Sequence, residues 1–174
     1  MEKNGLQQGG ERICSCCGAK MKLHYHRLNK GLVNVLIKFR KQVLAKNHNQ
    51  IQISELNLTT TEFCNFQKLR YHAMIAKCKD SEGKRMGGYW LLTKRGNEFC
   101  KGLIEVPEKV GTFRNKIRKK SKEFVSIGKV LNNELPVWDS VETMDFEMYV
   151  DSDIEESLWD DPIVEQSGQS KLRI

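Results

Sequence analysis

The chain has 174 residues, 39% of them apolar, and a net charge of +7. That length supports one compact domain of about 100 residues with appendages, and no second full core is expected. No stretch reaches the roughly 20 apolar residues that span a bilayer, and the polar start lacks the apolar centre of a signal peptide; the expectation is therefore a cytoplasmic protein without a membrane partner, its six cysteines reduced.

Residues 1–11, with Gln7-Gln8-Gly9-Gly10, carry no periodicity and read as disordered. Cys14-Ser15-Cys16-Cys17-Gly18 follows and contains Cys-x-x-Cys-Gly, a turn in which two thiolates face one tetrahedral metal and glycine permits the tight backbone. Two ligands alone do not hold structural zinc. His24 and His26, two apart and so on one face of a strand, complete a Zn2+ site of Cys14, Cys17, His24 and His26, with Cys16 able to replace a cysteine. The alternative is a reduced, metal-free turn.

From about Asn29 to Lys46, Leu32, Val35, Leu36, Phe39 and Val43 recur at helical spacing, with Asn34, Lys38 and Lys41 opposite them. An amphipathic helix with one broad buried face is expected. Ile51-Gln52-Ile53 alternates like a short strand, Ser54-Glu55-Leu56 opens a brief helix, and Thr59-Thr60-Thr61-Glu62 is a capping box.

The box predicts a helix from about Thr60 through Tyr71. At 100° per residue it places Phe63, Phe66 and Leu69 inward, and Thr60, Thr61, Cys64, Asn65, Lys68 and Tyr71 outward. Short hydroxyls and amides reach base edges and a lysine reaches phosphate or guanine, so Thr60, Thr61, Asn65 and Lys68 are candidate DNA contacts. Arg70 falls towards the apolar side and reads as structural.

Met74 to Lys79 reads as a strand, the glycine-rich Asp80 to Gly88 as a hairpin tip, and Tyr89 to Thr93 as the partner strand. Lys84 and Arg85 at the tip are candidate backbone contacts. Thr93 is expected to cap a third helix, Lys94 to Lys101, which Gly102 ends. Cys78 and Cys100 read as small buried hydrophobes.

Residues 1–133 carry 27 Lys and Arg against 10 Asp and Glu, whereas residues 134–174 carry 2 against 12. A body this basic implies an anionic partner, and nucleic acid above all, because neutralising phosphates releases counterions. The densest tract holds Lys116, Arg118, Lys119 and Lys120 and reads as a phosphate-contacting arm, with Phe124 to Val130 as a last short strand. The acidic tail interleaves carboxylates with Trp138, Met144, Phe146, Tyr149 and Trp159, a composition typical of disordered interaction segments. Three readings apply to it: folding back over the basic body, docking on another protein, or solubilising the chain.

Helix, helix, hairpin is the order of a winged helix-turn-helix, and Tyr89-Trp90-Leu91-Leu92-Thr93-Lys94-Arg95-Gly96 resembles the second wing strand and following helix of many bacterial regulators. Leu58 to Tyr71, that wing strand, and Val106-Pro107 with Thr112-Phe113-Arg114-Asn115 resemble small uncharacterised phage and prophage winged-helix proteins with an N-terminal cysteine knuckle. The resemblance covers roughly residues 12–118. It implies architecture and a phage setting, and it names no target.

No Gly-x-Ser-x-Gly, phosphate-binding loop or His-Glu-x-x-His occurs, so no enzyme is expected. The expectation is an α+β chain in four parts: a disordered start and cysteine knuckle over 1–28, a winged domain over 29–106, a basic arm over 107–133, and an acidic disordered tail over 134–174. Its expected role is binding double-stranded DNA in transcriptional or replication control; the alternative is a non-catalytic module that binds a host or phage protein.

Overall fold

The computed structural model describes residues 12–13, 15–113 and 116–138, and the fold is α+β. Strands β1 (Arg12–Ile13) and β2 (Lys20–Met21) form a small hairpin around the cysteine turn, and β3 (His24–Arg27) leads into helix α1 (Lys30–Lys46). Asn29 caps α1 through its side chain, which accepts the Leu32 N–H at 3.0 Å, and Asn47, left-handed at φ 48°, ends it. The predicted amphipathic stripe is the buried one: Leu32, Val33, Val35, Leu36, Phe39 and Val43 all face the core.

Next come β4 (Gln50–Gln52), a 3-10 turn (Ile53–Leu56) and helix α2 (Thr60–Asn65), which passes into a second 3-10 stretch (Phe66–Arg70). Strand β5 (Ile75–Lys79), a tight turn and β6 (Arg85–Leu92) make the expected hairpin, with the second strand starting four residues earlier than Tyr89. Helix α3 (Lys94–Cys100) begins at Thr93, whose hydroxyl accepts the Gly96 N–H, and Gly102 follows at φ +73°. The order in this sheet is β4-β6-β5, all antiparallel. Asn49 extends its edge with side-chain bonds to both the N–H and the carbonyl of Leu92.

The remainder departs from the sequence-based expectation. Strands β7 (Val106–Pro107), β8 (Lys109–Phe113), β9 (Lys116–Lys120) and β10 (Phe124–Val125) precede a short helix α4 (Ile127–Val130). The expected basic arm is therefore largely folded: β8 and β9 form a hairpin, and β8 also pairs with β3, giving the order β3-β8-β9. Ile117 supplies the physical reason, being the one apolar residue between lysines and arginines and buried with Val110 against Ala73 and Tyr71. Likewise the expected strand over 124–130 is two residues of β10 paired with β7, after which Ser126 caps α4 through the Lys129 N–H. The expectations for residues 1–11 and for 139–174 lie outside the described residues, as do Cys14, Arg114 and Asn115.

Candidate nucleic-acid interface

The α2 segment is fixed from three sides. At its start the capping box is complete: the Thr59 hydroxyl accepts the Glu62 N–H at 3.2 Å, and the Glu62 carboxylate accepts the Thr59 N–H at 2.9 Å. The same carboxylate takes the Lys38 ammonium of α1 at 2.7 Å. That bond, then the Thr59 amide, holds the Glu62 carboxyl below its usual range. One side chain thus both starts the helix and pins it to the core helix.

At the far end the chain turns sharply through Tyr71 to Met74, with Ala73 at φ +54°. The N-terminus of α3 clamps this turn. The Thr93 hydroxyl donates to the Ala73 carbonyl at 2.6 Å, the Thr93 N–H to the Met74 carbonyl at 3.1 Å, and Arg95 Nε to the His72 carbonyl at 2.9 Å. On the opposite side His26 of β3 stacks on Tyr71.

Thr60 and Thr61 stand exposed on the first turn, as expected, and Asn65 and Lys68 are half-buried beside them. The last two are joined: Lys68 donates to Asn65 Oδ1 at 2.6 Å, while Asn65 Nδ2 donates to the Thr61 carbonyl at 2.8 Å. Lys84 and Arg85 are exposed at the hairpin tip, where Asp80 Oδ1 accepts the N–H groups of Glu82 and Lys84 and Gly83 takes φ +78°. Lys116, Arg118 and Lys119 are exposed on β9, and Lys120 is half-buried. Because Ile117 packs on Tyr71 and Ala73, β9 lies beside the C-terminal end of the 60–70 segment, with Lys120 on the face of Ile117 and Lys116 and Lys119 on the opposite face, while the hairpin stands beside the middle of the segment. No local pattern signals that juxtaposition, since it depends on β3 pairing with a strand more than 80 positions away.

One inward assignment is wrong. Phe66 and Leu69 are buried, but Phe63 is 53% exposed. At about 100° per residue Phe63 already stands about 120° round from Leu69, at the margin of the inward arc, and the core covers Phe66, Leu69 and Arg70 but stops short of it. Its ring lies 5.8 Å from Phe66, which meets Trp90 edge-on at 5.1 Å. Arg70 is buried, as its position on the apolar side implied, and so are Cys78 and Cys100, whose thiols burial pushes up to about 11 and about 12.

The expected zinc ligands lie only partly within the described residues. His24 and His26 do share one face of β3, yet His26 Nε2 lies 2.9 Å from the Thr112 hydroxyl and its ring is covered by Tyr71. Cys17 is exposed in the turn, Cys14 lies outside the described residues, and among the described residues no three His, Cys, Asp or Glu side chains form a metal-holding group. Among the described residues no helix is long and apolar enough to cross a membrane. No protein-family model, curated protein or solved structure matches the chain.

Proposed function

We propose that this chain is a DNA-binding protein of winged-helix architecture, acting in transcriptional or replication control in a phage-related, bacterial cytoplasmic setting. The observation that carries the reading is the 60–70 segment, Thr60 and Thr61 exposed on it, with the hairpin that bears Lys84 and Arg85 beside its middle and the cation-rich strand β9 beside its C-terminal end. The sheet order β4-β6-β5 behind it supports the winged-helix part. In this reading Thr60, Thr61, Asn65 and Lys68 meet base edges in the major groove, and Lys84, Arg85, Lys116, Arg118, Lys119 and Lys120 hold phosphates. A structural zinc in the Cys14 to Gly18 turn belongs to the same proposal. Its test is metal content by emission spectrometry with Cys14→Ser and Cys17→Ser alongside, and a metal-free wild type removes it.

The DNA test is fluorescence anisotropy of the full chain on a random duplex across a salt series. About six phosphate contacts give a slope near −5 for log affinity against log salt. No binding at low salt, or a flat response, overturns the proposal. The second reading, a protein-interaction module, is favoured by the exposure of Phe63 in an aromatic groove. A preference for RNA or single strands in the same assay would likewise count against duplex readout.

A further inference from the structure

Between α2 and the hairpin runs a groove of about 390 Å³. Phe63, Phe66, Trp90 and Met86 form its apolar wall, Lys77 and Arg85 are its cations, and no acidic residue lines it. Lys77 Nζ sits 5.7 Å from the Trp90 ring centroid. Such a site suits a bulky aromatic side chain with carboxylates next to it: the ring replaces water against Phe63 and Trp90, and the acids face the two cations.

The chain itself carries that ligand. Glu155-Glu156-Ser157-Leu158-Trp159-Asp160-Asp161 puts an indole between two acidic pairs, in a region where 139–174 holds 11 Asp and Glu against 2 Lys and Arg. The described chain ends at Trp138, which lies against Arg40 of α1 at 4.2 Å and so anchors the start of the tail to the core. From there to Trp159 the chain reaches up to about 70 Å when extended, well beyond the diameter of a domain of this size. Tethering supplies an effective concentration in the millimolar range, so even weak complementarity fills the site.

We propose that the acidic tail docks into this groove with Trp159 as its anchor, occupying the space between the α2 segment and the hairpin. The proposal stands on the groove and the tail, and holds whether or not the chain binds duplex DNA. Where duplex does bind, the tail covers the gap between helix and hairpin and competes for it.

The test is fluorine NMR of the full chain labelled with 5-fluorotryptophan, without nucleic acid, so that its failure leaves the DNA reading untouched. Three resonances are expected, for Trp90, Trp138 and Trp159. In the wild type the Trp159 resonance stands away from the position of a solvated indole. Phe63→Ser returns it to that position, and Trp159→Ala shifts the Trp90 resonance. Phe63 is half exposed, so the substitution leaves the fold in place, which an unchanged Trp138 resonance verifies. A solvated Trp159 signal that is identical in wild type and Phe63→Ser overturns the proposal. Overturn also follows if the shift appears only as concentration rises together with a dimer mass in sedimentation, since a second copy then supplies the tail. If Phe63→Ser instead weakens duplex binding equally with and without Trp159 while the fluorine spectrum stays fixed, the groove belongs to nucleic acid and the tail proposal fails.

Discussion

The phenol of Tyr71 stacks on the imidazole of His26, with 4.6 Å between ring centroids and 17° between planes. This stack, with Ile117 and Val110 on Ala73, is how the β3-β8-β9 sheet is locked to the end of the 60–70 segment. It fixes the position of the β9 cations relative to Lys68.

Removing either ring should therefore loosen the junction. Tyr71→Ala and His26→Ala are each expected to destabilise by about 1–3 kcal/mol, with a coupling of about 0.5–1.5 kcal/mol in the double-mutant cycle. Urea denaturation of the four proteins measures it. Additive effects would show that the stack contributes nothing of its own.

The same junction makes stability depend on pH. His72 is fully buried, and burial followed by the charges of Arg95 and His26 lowers it to about 3, against a smaller raising effect of the His26 backbone. His26 is lowered as well, by burial first and then by Lys68 and His24. Both folded values lie below the unfolded one, so the unfolded chain binds more protons in this range. Stability is complete above about pH 6.5 and is lost as pH falls from there towards 3, with a slope of about 1.4 kcal/mol per pH unit from His72 alone. The carboxylates lowered in the fold, Glu55, Glu62 and Glu108, act only below their ordinary value of 4.5, so pH 5 to 6.5 isolates the histidines. Urea midpoints should fall across that window, and His72→Leu should flatten most of the decline; an unchanged slope in the variant would assign it elsewhere.

Close approach sets a third expectation. A Cβ on Gly96 would collide with the backbone carbonyl of Met74 and crowd the Leu92 side chain, and the carbonyl cannot retreat because Thr93 N–H is bonded to it. Gly96→Ala should cost about 1–3 kcal/mol by overpacking despite the gain in helix propensity. A thermal melt decides, and a neutral or raised Tm would mean that α3 can slide.

Local signals are legible in the sequence and distant ones are not. The stripe on α1, the box at Thr59, the cap at Thr93 and the burial of Cys78 and Cys100 each depend on neighbours within about one turn or on residue type. The sheet β3-β8-β9 escapes such reading because its pairing joins His24 to Thr112, and one isoleucine in a run of cations gives no alternation to detect. Phe63 is misplaced by a helical wheel because a wheel gives angles and not the width of the buried arc, which takes in Phe66, Leu69 and Arg70 and ends before Phe63. Among the candidate DNA-facing residues, exposure of Thr60, Thr61, Lys84 and Arg85 can be read from pattern; the packing of β9 on Tyr71 and Ala73 cannot.

If duplex DNA is the ligand, the candidate DNA-facing residues divide into two classes with different signatures. Lys116 and Lys119 are exposed and share the face of β8-β9 away from Ile117, so alanine at both leaves the packing of Ile117 intact. Removing one phosphate-binding cation lowers the salt slope by about 0.9, so the pair should lower it by about 2 with little effect on which sequence is preferred. Asn65 belongs to the other class: Asn65→Ala should cost about 1–3 kcal/mol against the preferred site and relax specificity while leaving the slope nearly unchanged. Lys68 links the two, because its ammonium is held by Asn65 Oδ1 in the free protein. To meet a base edge, that bond must open or carry both side chains to the base together, and the Asn65→Ala and Lys68→Ala effects should then be non-additive. Anisotropy titrations of the two single variants and the double, on a selected and a random duplex, measure this directly. Strict additivity, or a slope change from Asn65→Ala as large as that from the lysine pair, would remove the 60–70 segment from base recognition.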